Sequence, residues 1–127
     1  MFRLMEPSDL AAMQELWAAC RSDPADYAEK VIRRFAGEEN AWLAEENGRL
    51  QALVLSAPVT LQGRPGYDLC GLCSRDEGAA AGLVDYVSAQ LAGRGAAFLV
   101  AAPGADQAAF YAACGFGRAF GLRCLTR

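Results

Sequence analysis

The chain has 127 residues and a formal net charge of −3, with 54% of its residues hydrophobic and 21% charged. That length fills one core and not two, so a single domain over residues 1–127 is expected. Dispersed arginines and a sole lysine, Lys30, exclude a nucleic-acid footprint, and no apolar run approaches the ~20 residues a bilayer span needs.

Residues 1–10 carry Arg3, Glu6 and Asp9 where a signal peptide would be apolar, so a cytoplasmic protein is expected. Residues 2–5 alternate as a first strand, and Pro7-Ser8-Asp9 supplies turn and N-cap chemistry for a helix whose Leu10, Met13, Trp17 and Cys20 share one face. Asp23-Pro24 reads as a second helix start, with Tyr27, Val31 and Phe35 as the buried stripe. Residues 41–45 and 50–61 read as strands joined at Asn47-Gly48, a tight-turn pair that tolerates positive φ; this register puts Trp42 and Ala44 on one face. Pro58 late in the second strand suggests a bulge or a strand end.

Residues 62–66 read as a turn, 67–73 as a short buried strand, and 78–94 as a helix burying Leu83, Val84, Val87 and Leu91. Residues 96–102 form an apolar run of strand length, 105–114 a short helix closed by Gly115, and 116–125 a last strand. The order β, α, α, β, β, β, α, β, α, β describes an α/β (α+β) fold, a mixed sheet flanked by helices. Helix 78–94 is then a right-handed crossover between parallel strands.

Five cysteines, an odd number in apolar contexts, are read as reduced. Cys70 and Cys73, three apart on a strand, should project to opposite faces; with no histidine in the chain, no metal site is expected. Cys114 is read as a packing residue, because a nucleophilic thiol needs a basic partner. Charge is uneven: residues 1–50 hold 10 acidic and 6 basic side chains, residues 51–127 hold 5 and 6, which leaves room for an anionic ligand in the second half.

Three segments carry a resemblance that extends over the whole chain. Phe2-Arg3-Leu4 running to Glu6-Pro7-Ser8-Asp9-Leu10, the stretch from Leu72 to Ala80, and Phe110-Tyr111 with Gly115-Phe116 resemble the GNAT superfamily of acyl-CoA-dependent N-acyltransferases. The last of these resembles the family's F-Y-x-x-x-G-F signature. The middle stretch falls where the family places its pyrophosphate loop, and two alignments stand. Without gaps, Arg75, Gly78 and Ala80 match R-x-x-G-x-G/A, and the amides of a small-residue helix start face phosphate oxygens while Asp76 and Glu77 point to solvent. With a gap, about four loop residues are missing before Gly78. In the ungapped alignment Asp76 and Glu77 put two carboxylates beside the pyrophosphate, which repel it; in the gapped one they match an approach that is usually P-E and the loop is truncated.

The resemblance implies a GNAT-like N-acetyltransferase, short or degenerate, that moves an acetyl group from acetyl-CoA to a small-molecule or peptide amine. It implies Tyr111 as the acid that protonates the departing thiolate, and the backbone of Leu72 and Cys73 as oxyanion donor, with Ser74 adding a hydroxyl. Leu72, Cys73, Ser74, Arg75, Gly78, Ala79 and Ala80 would hold the acetyl-CoA. Glu45, Glu46 and Asp68 are candidate general bases, and the sequence does not choose among them. The rival readings are a non-catalytic binding or regulatory module, and a dimerisation domain with no cleft between the strands ending at Ser74 and Ala102. Family domains finish with one more strand than is read here, so a homodimer or a partner covering an open edge is expected, with Arg118, Arg123 and Arg127 as alternating edge charges.

Overall fold

A computed structural model describes residues 1–101, 107–119 and 124–126. In chain order it has β1 (Phe2–Leu4), a 3-10 turn (Pro7–Asp9), α1 (Leu10–Cys20), α2 (Ala25–Gly37), β2 (Ala41–Glu46), β3 (Arg49–Leu61) and β4 (Arg64–Ser74). It continues with α3 (Glu77–Gly93), β5 (Phe98–Ala101), α4 (Ala108–Ala113), β6 (Gly117–Ala119) and β7 (Cys124–Thr126). The strands form one mixed sheet in the order β1-β2-β3-β4-β5-β7-β6, with β4 and β5 parallel and the other pairs antiparallel.

Each face of the sheet is covered by helix, as alternating strand side chains require. On one face, α3 sets Leu83, Val84, Val87 and Leu91 against Trp42, Ala44, Ala52, Val54, Leu69 and Leu99, and Tyr111 and Phe116 extend this core. On the other, Met13, Leu16, Trp17, Ala28 and Ile32 of α1 and α2 cover Ala41, Leu43, Leu53 and Leu55. Trp42 and Ala44 thus share a face, as the Asn47-Gly48 register requires; those two residues have φ of 54° and 76°. A second tight turn at Gln62 and Gly63, φ 51° and 75°, starts β4 three residues earlier than its apolar stretch suggested.

Four expectations are corrected. The buried residues of α2 are Ala28 and Ile32, with Val31 and Phe35 beside them, whereas Tyr27 is 52% exposed, because the helix turns its smaller side chains to the sheet. Asp9 stands at the N-cap of α1 but its side chain makes no cap hydrogen bond there: its carboxylate accepts from the Glu6 amide at 2.7 Å and from Arg3 at 2.7 and 3.0 Å. Asp23 does not cap α2, where Pro24 is the N-cap; it accepts from Trp17 Nε1 at 3.0 Å and Arg21 Nε at 3.1 Å. The last strand is two strands, β6 and β7, and β7 lies between β5 and β6. The additional strand is therefore present, which removes the ground for expecting an exposed edge at β5. Arg118 is on β6, opposite Leu125; Arg123 and Arg127 lie outside the described residues.

Candidate functional site

The site begins with an irregularity in β4. Cys70 pairs with Leu55 and Cys73 with Leu53, so Gly71 and Leu72 together stand opposite Val54: a β-bulge. Gly71 has φ 62°, and a Cβ there would come within 3.1 Å of the Trp17 ring and 3.3 Å of Leu55. The positive φ thus favours glycine, and a Cβ would also press on the Trp17 ring. The extra residue also resets the strand's alternation. Leu69 and Leu72 face α3, whereas Cys70 and Cys73 both face α1 and α2, contrary to the opposite faces that regular spacing predicts.

Among the described residues β4 pairs with β5 from Gly66 to Leu69, and β4 runs on to Ser74. A cleft of about 790 Å3 lies at this end. Leu72, Cys73 and Ser74 form one wall, Glu77 and Ala80 of α3 another, and Gln107 and Phe110 a third; residues 20–23, between α1 and α2, complete the rim. Gln107 Nε2 donates to the Leu72 carbonyl at 3.3 Å, so a side chain at the start of α4 bridges to β4. The rim is ordered by Asp23, which holds both Trp17 and Arg21, and by the Arg21 guanidinium 5.1 Å from the Trp17 ring centroid.

Only Arg75 and Asp76 connect β4 to α3. Gly78 and Ala79 are in the first turn of α3, where amides lack helical partners, and Ala80 packs in the core. One amide is taken, since Asp76 is the N-cap and its carboxylate accepts from Ala79 N at 2.8 Å. Asp76 therefore folds back onto the helix instead of pointing outward, as a capping residue does. Arg75 lies 3.7 Å from Glu15, and its amide donates to Gln51. Of the seven residues assigned to acetyl-CoA, Leu72, Cys73, Ser74 and Ala80 line the cleft; Gly78 and Ala79 line a smaller hollow beside β1 and β2.

Tyr111 is buried, with ring centroids 5.3 Å from Phe110 and 5.2 Å from Phe116; Phe110, not Tyr111, is at the cleft wall. Burial pushes its phenol above the ordinary range, and the nearby Cys114, Cys70 and Asp68 push the same way. Asp68, half-buried on β4, is raised by burial alone. Glu45 is held by Arg3 at 3.2 Å, and Glu45 and Glu46 line the hollow beside β1, so the structure separates them from the cleft. Among the described residues no three His, Cys, Asp or Glu side chains converge as a metal site, and no helix is long and apolar enough to cross a membrane. The spacing of residues gave no sign of Gln107 or of the 20–23 rim, because their partners are 35 and 54 residues away in the chain.

By sequence, the chain matches no protein-family model and no curated protein. By structure it superposes on acetyltransferases. A GNAT-family acetyltransferase from Brucella melitensis, solved with acetyl-CoA, is 18% identical with a TM-score of 0.75, over 100% of this chain and 86% of that one. An aminoglycoside 6'-N-acetyltransferase from Acinetobacter haemolyticus is 16% identical with a TM-score of 0.81, over 96% and 94% of the two chains. The ribosomal-protein-S18-alanine N-acetyltransferase from Escherichia coli is 23% identical with a TM-score of 0.74, over 94% and 79%. The mixed sheet and the bulge in β4 are thus set in the fold of the GNAT acetyltransferases.

Proposed function

We propose that the protein transfers an acetyl group from acetyl-CoA to the amine of a small molecule or peptide, with the thioester lying in the cleft beside Leu72, Cys73 and Ser74. The observation that carries this reading is the cleft itself, lined by Leu72, Cys73 and Ser74 at the end of β4 and by Glu77 and Ala80 of α3. Backbone N–H groups there can donate to the thioester oxygen as it becomes an oxyanion. The amine nitrogen attacks the carbonyl carbon, a C–N bond forms, the C–S bond breaks, and the thiolate takes a proton. Tyr111 supplies that proton; its raised phenol stays protonated at neutral pH, as a donor must. Asp68, whose carboxyl burial raises, is the candidate base that stays on this reading, since Glu45 and Glu46 line the separate hollow.

The cleft fits the acyl end of the co-substrate better than the pyrophosphate end. Asp76 already occupies the Ala79 amide and Glu77 stands at the mouth, so a diphosphate meets two carboxylates at a helix start that otherwise favours anions. Weak binding follows. The same observation favours the second reading, a non-catalytic module with a degenerate acyl-CoA site; the third, a dimerisation domain without a cleft, disagrees with the cleft described above.

Calorimetry with acetyl-CoA separates the first two. Asp76→Gly with Glu77→Lys should raise affinity about tenfold, close to 1.4 kcal/mol, with a dependence on salt. Absence of heat from both wild type and double mutant would leave the binding-module reading standing and remove acetyl-CoA from it.

A further inference from the structure

The acyl-transfer reading uses only the backbone of Cys73, and the thiol is left over. Cys73 is buried, on the wall of the cleft; Cys20, the last residue of α1, is exposed on the rim of the same cleft. Two contacts join them. Cys20 Sγ lies 3.8 Å from the carbonyl oxygen of Ser74, the residue after Cys73, and the Cys20 thiol is near enough to push the Cys73 thiol up. The bulge at Gly71 makes this meeting, because without the extra residue Cys73 would face α3. Cys70 faces the same way but does not line the cleft.

We infer that Cys20 and Cys73 are a redox-active thiol pair that closes to an intramolecular disulfide across the mouth of the cleft, with glutathione disulfide as oxidant. Exposure makes Cys20 the point of entry. Its thiolate attacks one sulfur of glutathione disulfide, the S–S bond breaks, and one glutathione leaves as a thiol with the proton Cys20 gave up. Cys73 then attacks Cys20 Sγ, and the second glutathione leaves with the Cys73 proton. Two protein thiols are oxidised and one disulfide is reduced to two thiols. Burial and the neighbouring Cys20 push the Cys73 thiol up to about 12, so the second step is the slow one and speeds up as pH rises. The bridge ties the end of α1, with Arg21, Ser22 and Asp23 beside it, to the end of β4 and narrows the entrance.

The test incubates the full chain, folded, with glutathione disulfide at alkaline pH and maps peptides without reduction. A Cys20–Cys73 linked peptide is expected, retained in Cys70→Ser, lost on adding dithiothreitol, and absent from Cys20→Ser, in which Cys73 stays unmodified. A main product in which Cys20 keeps glutathione, joins Cys70, or links two chains would overturn the pairing. Control of the cleft by the bridge rests on the acetyl-CoA reading. There, oxidation should weaken acetyl-CoA binding at least about tenfold, reversibly; equal affinity of the two forms overturns that control. Failure of the reduced protein to bind acetyl-CoA counts against the acyl-CoA reading alone, since the peptide map judges the disulfide without it.

Discussion

Gly71 concentrates three constraints at a single residue: positive φ, the Trp17 ring and the bulge that turns the rest of β4. Gly71→Val should destabilise the protein by about 1–3 kcal/mol from the backbone alone, with more from the clash, read as a lower urea midpoint. A valine protein of wild-type stability would show that the bulge does not need the left-handed backbone. Arg3 and Asp9 make a second local argument, with the sign set by linkage. The Arg3 guanidinium, helped by the Glu6 amide, holds the Asp9 carboxyl below its ordinary 3.8, against the opposing effect of burial. A depressed folded-state value means that the stabilisation is present above 3.8 and is lost as pH falls through the folded-state value. Arg3→Met should therefore reduce stability at neutral pH and flatten its fall in acid. Parallel acid profiles for the two proteins would rule this pair out as the cause. The side chains are 25% and 17% exposed, so solvent screens the pair in part and the effect is small.

Hairpins and helix caps decide where elements start. Asn47 and Gly48 both adopt positive φ, and the register they impose sends Trp42 to α3 and Leu43 to α1 and α2. Gly48→Val should cost roughly 1–3 kcal/mol in thermal or urea unfolding; no loss would show that the sheet sets the register without the turn. At the far end of β2, polar groups are buried with every partner supplied. Trp42 Nε1 donates to Ser56 Oγ at 2.9 Å, Ser56 Oγ donates to Asn40 Oδ1 at 3.0 Å, and Arg94 from the end of α3 donates to Asn40 Oδ1 at 2.8 Å and Glu39 O at 2.8 Å. Arg94 also lies 5.0 Å from the Trp42 ring centroid. This network fastens α3 to the α2–β2 junction. Ser56→Ala should cost about 1–3 kcal/mol, because it leaves the buried indole N–H without an acceptor. An alanine protein as stable as wild type would mean that another acceptor is found.

Across the whole molecule, β4 serves both cores, with Leu69 and Leu72 on the α3 face and Cys70 and Cys73 on the other. Tyr111 belongs to the α3 face, where burial raises its phenol and Cys114, Cys70 and Asp68 add to the effect. On the acyl-transfer reading, Tyr111→Phe should lower kcat about 100-fold with little change in Tm. A phenylalanine protein that keeps wild-type kcat would remove Tyr111 from the reaction and leave it a core aromatic.

Much of this was readable in the order of residues. Regular spacing of apolar side chains predicted α3 and the long strands, and Asn47-Gly48 predicted the first hairpin with its faces, because local backbone preference and side-chain period are properties of neighbouring residues. The F-Y-x-x-x-G-F ending placed α4, and Gly115, at φ 92°, closes it as read. What the local pattern could not show was decided by partners far away in the chain. Asp9, Asp23 and Asp76 have the same capping chemistry, but only Asp76 caps a long helix; Asp9 is taken by Arg3 and Asp23 by Trp17 and Arg21, once the fold brings those donors near. Tyr27 looks like core by spacing and is exposed because α2 is rotated to pack Ala28 and Ile32. Most of all, a single extra residue at Gly71 reversed the facing of Cys73. A bulge is stabilised by cross-strand pairing and by the Trp17 ring against it, so the cleft, its Gln107 bridge and the meeting of Cys20 with Cys73 belong to the tertiary structure alone.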